Sequence, residues 1–130
     1  MNKYMPSLFD LVRFALLFFM IDVFYLFSTR ELSGRVIADV QRVALQMKPL
    51  GAIIVYFAIA FAYLMFARRD GSTKDGSIQK AFLLGATIYA VFDFTNYAIF
   101  KKYPLWFALM DTLWGGILFA IIAYIDKKWV

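Results

Sequence analysis

The sequence predicts an all-α, polytopic membrane protein: a four-helix transmembrane bundle with an interfacial amphipathic helix between spans one and two. Three observations carry this expectation. Hydrophobic residues make up 63% of the 130-residue chain and charged ones only 18%, a balance outside the usual range for a soluble domain. Aromatic residues reach 20%, with 15 Phe, 8 Tyr and 3 Trp, more apolar surface than one small core can hide from water. Finally, four apolar runs each approach the roughly 20 residues that a helix needs to cross a hydrocarbon layer of about 30 Å.

Taken in order, the spans are expected over residues 8–27, 49–67, 81–100 and 105–125, as a single transmembrane domain covering 1–130. Pro6, Pro49 and Pro104 are the only prolines, and each stands at a helix start, where the missing N–H costs nothing. The first run is too long for a signal-peptide core and contains Asp22, so it is expected to remain in the mature protein. Between spans one and two, over about 31–47, Leu32, Val36, Val40, Val43, Ala44 and Met47 share one helical face, opposite Arg35, Asp39, Arg42 and Gln46. An interfacial helix and a helix capping the bundle share this signature, and the sequence does not separate them. Residues 68–77, polar and glycine-bearing, read as a flexible surface connection. The link Lys101-Lys102-Tyr103 before Pro104 is so short that spans three and four must be antiparallel neighbours.

The chain has no Cys and no His, which removes the usual ligands of zinc, haem, copper and iron–sulfur centres and the usual general base. No cofactor is expected. The net charge of +5 comes from Lys and Arg at the edges of apolar runs, the ordinary membrane-protein placement, so the expected partner is the lipid bilayer and not nucleic acid. Seven basic residues on the side of the termini stand against six opposite, which favours cytoplasmic termini by a narrow margin.

Asp22, Asp93 and Asp111 fall inside apolar spans, where a charged carboxylate costs at least roughly 2.5 kcal/mol at the bilayer centre. Asp10 differs, because Arg13 is three residues away near the start of span one and the two can pair. Asp22 is five residues before Phe27, Asp93 seven before Phe100 and Asp111 six after Leu105. With alternating span directions, all three lie roughly 7 to 11 Å from the same surface at 1.5 Å per residue and can converge on one site. Tyr56 reaches that depth from span two and is a natural donor to a carboxylate. Helical spacing also places Asp22 with Tyr25, Asp93 with Tyr89 and Asn96, and Asp111 with Trp114. Ala81 and Gly85 on span three and Gly115-Gly116 on span four should let those helices pack closely around Asp93 and Asp111.

The segments Phe92-Asp93-Phe94-Thr95-Asn96-Tyr97-Ala98 and Met110-Asp111-Thr112-Leu113-Trp114-Gly115, with an aspartate late in span one, resemble a family of small predicted membrane proteins, domain of unknown function 2177. The resemblance covers nearly the whole chain and the four-span layout. It implies that Asp22, Asp93, Thr95, Asn96, Asp111, Trp114 and Gly115 are signature positions, and it implies no activity.

Three classes of function fit these residues. The first is a proton- or cation-binding transporter or channel component, whose oxygen-only ligands suit a proton or a hard cation and whose few spans call for a homo-oligomer or larger membrane complex. The second is a scaffold or accessory subunit in which the aspartates are hydrogen-bonded staples. The third is a lipid or isoprenoid enzyme using paired carboxyls; with no His, Cys or phosphate-binding loop, an enzyme is the least supported of the three.

Overall fold

The computed structural model describes residues 7–41, 48–67 and 75–129, and everything below concerns those residues. They form five α-helices: α1 (Leu8–Ser28), α2 (Arg30–Gln41), α3 (Pro49–Ala62), α4 (Asp75–Ile99) and α5 (Leu105–Trp129). A π turn, Tyr63–Ala67, prolongs α3. Four stretches, Leu8–Ser28, Pro49–Ala67, Ile78–Ile99 and Leu105–Lys128, are long and apolar enough to cross a membrane. The chain is an all-α polytopic membrane bundle.

Local chemistry sets the helix ends. At the start of α1, the Ser7 hydroxyl accepts from the Asp10 backbone N–H at 3.1 Å, the ordinary N-cap arrangement. Asp10 in turn holds Arg13 at 2.8 Å, as the three-residue spacing predicts. The α1 helix ends at Thr29, whose N–H and hydroxyl both donate to the Tyr25 carbonyl, at 2.9 and 2.8 Å. Pro49 occupies the first turn of α3, and the Pro104 carbonyl accepts the first backbone bond of α5 from Ala108.

Two helices extend past the expected spans. The α4 helix starts at Asp75, six residues before the expected 81, so residues 75–77 of the supposed connection are helical. Loss of hydropathy marks the edge of the hydrocarbon layer and does not end a helix; backbone hydrogen bonds continue beyond it in water. The same reasoning explains why α5 runs to Trp129 and not 125, with Lys127 and Lys128 in its last turn, where the helix dipole favours cations. The amphipathic helix is seen over Arg30–Gln41; the expected continuation through 42–47 lies outside the described residues.

The most extensive pairing joins α4 to α5, followed by α1 with α3. Glycine explains the first. A Cβ on Gly85 would overlap the Gly115 carbonyl oxygen and approach Phe119 Cγ to 2.6 Å, and a Cβ on Gly115 would enter the Tyr89 ring. Close approach of helices through small residues is the main packing device in lipid, where apolar attraction between helices is absent. At mid-bundle, Phe14, Phe18, Leu118, Phe119 and Ile122 are completely buried. Large apolar residues such as Leu16, Met20, Phe24, Ile54 and Phe92 are exposed, forming the belt that lipid covers.

Helix α2 returns over the turn between α4 and α5. Val36 is buried in a small cluster with Tyr103, Phe107 and Ala108. Of the two roles the sequence left open, capping the bundle is the one this contact supports.

Candidate functional site

The three membrane-embedded aspartates occupy one end of the bundle, opposite the termini. Asp93 is fully buried and Asp22 nearly so, while Asp111 is half-buried. Tyr56, from α3, donates to Asp22 Oδ2 at 2.5 Å; depth had placed it level with the carboxylates without choosing among them.

The spacing rule placed Tyr25 beside Asp22 and Trp114 beside Asp111, each donor with the acid of its own helix. The structure exchanges them. Trp114 Nε1 donates to Asp22 Oδ1 at 2.8 Å, and the Tyr25 hydroxyl donates to Asp111 Oδ1 at 2.8 Å. Geometry dictates the exchange. Both helices carry an acid followed three residues later by an aromatic donor, and they run antiparallel, so each acid lies level with the other helix's donor. The two rings stack between the acids, with centroids 4.7 Å apart and planes 2° from parallel.

Asp93 is held differently. Its Oδ1 accepts from the Tyr103 hydroxyl at 2.7 Å, and the Asn96 side chain reaches that same hydroxyl. Burial, and then the carboxylate beside it, holds the Tyr103 phenol well above its usual range, so it stays protonated and remains a donor. Sequence reasoning missed Tyr103 because it sits in the turn, ten residues from Asp93; the only signal was a buried-type aromatic beside Pro104 in an otherwise charged link. The second oxygen, Asp93 Oδ2, is buried and receives no donor among the described residues. Asp111 lies within hydrogen-bonding reach of Asp93. Two carboxylates are both acceptors, so this contact closes only through a proton or a cation.

The remaining sequence candidates separate. Tyr89 packs its ring over Gly115 and lies within electrostatic range of Asp22, Asp111 and Asp93. Thr95, by contrast, is exposed on α4; two residues from Asp93 is more than half a turn, which points it away from the cluster. Nor do the three aspartates share one ligand sphere: among the described residues, no three acidic side chains are grouped to hold a metal ion. They form a chain of hydrogen-bonded pairs instead.

Fold and site together define a polytopic helical membrane protein with a buried carboxyl network near one membrane face. The chain belongs to the family described as predicted membrane protein, domain of unknown function 2177 (DUF2177), whose model matches residues 8–126. No curated protein and no solved structure matches it.

Proposed function

We propose that the protein is a proton-binding component of membrane transport, acting as one transmembrane domain, and that the site is the Asp93–Asp111 pair. The observation that carries this reading is the fully buried Asp93, whose Oδ2 has no donor among the described residues and whose side chain lies beside a second carboxyl, Asp111. Side chains whose role is to staple helices satisfy their polar atoms, as Asp22 does with Tyr56 and Trp114. Asp93 leaves one oxygen for a titratable partner. A carboxyl pair sharing one proton is also how a membrane can hold two acids without two charges.

Asp22 and Asp111 are tied to one another through the Tyr25–Trp114 stack, so a change of charge at the pair reaches α1. Asn96, Tyr103 and Tyr89 complete the surroundings as positioning groups. The termini are assigned to the cytoplasm on the distribution of basic residues, and four spans call for a homo-oligomer or a larger membrane complex as the working unit.

Reconstitution in liposomes tests this reading. Proton flux present in the natural protein and absent in Asp93→Asn supports it. Absence of flux from well-folded protein moves the assignment to a scaffold or accessory subunit, and flux of sodium without protons moves it to a cation site.

A further inference from the structure

We infer that Tyr63 and Asp126, at the end of the bundle bearing the termini, form a second proton-exchanging site, and that the aromatic layer between the two ends is the gate protons must pass. The inference rests on the proton-binding reading of the Asp93–Asp111 pair and adds to it the other half of a transmembrane path.

Tyr63 lies seven residues after Tyr56, two turns along α3 and on nearly the same face. Each phenol donates to an aspartate of a neighbouring helix: Tyr56 to Asp22 of α1 at 2.5 Å, and Tyr63 to Asp126 of α5 at 2.7 Å. The two pairs look like one device used twice, once near each face. Tyr63 is 2% exposed, so Asp126 presents one carboxylate oxygen to a phenol that faces inward. Asp10 and Arg13 of α1, Lys80 of α4 and Lys127 of α5 belong to the same end, giving it a charged vestibule.

Between the ends the interior is apolar. Asp111 and Asp126 are fifteen residues apart on α5, about 22 Å along the axis. The buried side chains in between are apolar: Phe14 and Phe18 from α1, and Leu118, Phe119 and Ile122 from α5. Among the described residues, the buried polar and charged side chains other than Tyr63 are Asp22, Thr29, Asp93 and the phenol Tyr103, all at the far end. Phe14, Phe18 and Phe119 enclose the Tyr63 ring, at centroid distances of 5.4, 6.0 and 6.4 Å. A constriction of this kind blocks protons by excluding water.

The π turn at Tyr63–Ala67 supplies a place for movement. Such turns hold one extra residue under poorer hydrogen-bond geometry and recur at functional sites. Tyr63 opens this turn, so a shift between π and α register rotates its ring out of the phenylalanine layer. A proton taken up by the Asp126 carboxylate then crosses on transient water to the Asp93–Asp111 pair. Tyr63 keeps the proton it began with, and no electron is transferred.

The experiment is proton flux in phospholipid liposomes holding the full chain, read by a trapped pH dye under an imposed pH gradient. Asp126→Asn, which keeps an acceptor for Tyr63, should slow the flux at least about tenfold, the factor that a barrier change of about 1.4 kcal/mol produces. Phe18→Ala should raise it by a similar factor, and adding Asp93→Asn should abolish that increase. Phe18→Leu serves if the alanine variant loses its helical circular dichroism. Flux that depends on Asp93 yet ignores Asp126 and Phe18 overturns the second site and the gate while leaving the Asp93–Asp111 reading intact. A leak through Phe18→Ala that survives Asp126→Asn also overturns the inference. If neither the natural protein nor Phe18→Ala conducts, both fall together.

Discussion

The α4–α5 pair and the α1–α3 pair solve the same problem in opposite ways. The first is linked by a short turn and closed by glycine on both sides, with the Gly85 position against the Gly115 carbonyl. The second is joined through α2 and leaves an apolar crevice of about 290 Å³ between Val12, Ala15, Leu16 and Phe19 on one side and Ala52, Ile53, Tyr56 and Phe57 on the other. One seam has no room to adjust, whereas the other can breathe into lipid. The carboxyl pair sits on the rigid seam, and the hydrogen-bonded Tyr56 and Asp22, joined to it through the Tyr25–Trp114 stack, on the yielding one. This division suits a site whose geometry is fixed while its surroundings move.

The sharpest break with this picture would come from the glycines. Gly85→Leu and Gly115→Leu should yield no monodisperse helical protein, and even Gly85→Ala should cost about 1–3 kcal/mol through overpacking, read as a lowered midpoint of thermal unfolding in detergent. A tolerant Gly85 would mean that the α4–α5 seam is as loose as the other.

Next in size is Tyr103→Phe. It removes the one donor that the described residues offer to the fully buried Asp93, and leaving such a group unsatisfied costs about 1–3 kcal/mol. Unfolding in detergent measures the loss. The carboxyl infrared band of Asp93, absent from Asp93→Asn, should shift as well.

Tyr56→Phe should cost less, about 0.6 kcal/mol, the average for a hydrogen bond between membrane helices, because Trp114 still serves Asp22. Unfolding free energies of Tyr56→Phe and Tyr103→Phe, compared in one detergent, give the ranking. Equal losses would erase the contrast between the seams.

Smallest of all is Ala52→Val. It adds bulk at the crevice, where neighbours face lipid, and should change stability by less than about 0.5 kcal/mol while leaving proton flux unaltered. A large loss would show that the crevice is closed in the membrane.

Much of this was written in the sequence, for definite reasons. Span positions follow from hydropathy because a hydrocarbon layer demands apolar length and nothing subtler. Depth was legible too: alternating spans and a fixed rise per residue put Asp22, Asp93, Asp111 and Tyr56 at one level, and the structure joins Tyr56 to Asp22 there. Partner choice was not legible. Helical spacing shows what shares a face, but not which ring reaches across to an antiparallel neighbour, so Tyr25 and Trp114 were assigned to their own helices' acids. Tyr103 and Asp126 escaped because one lies in a turn and the other beyond the hydrophobic run. The π turn has no signature at all, since an extra residue in a helix alters hydrogen bonding without altering composition.

The stacked pair between α1 and α5 has a practical consequence. Trp114 lies with its indole N–H on Asp22 and its face on Tyr25, whereas Trp106 is exposed on the outer surface of α5. Indole emission responds to a nearby charge and to ring stacking, so the protonation state of the buried acids is written into the fluorescence of a residue already in place. With Trp106→Phe and Trp129→Phe combined, Trp114 is the one tryptophan left, and the molecule carries a native optical gauge of its own interior that can be read without attaching any label.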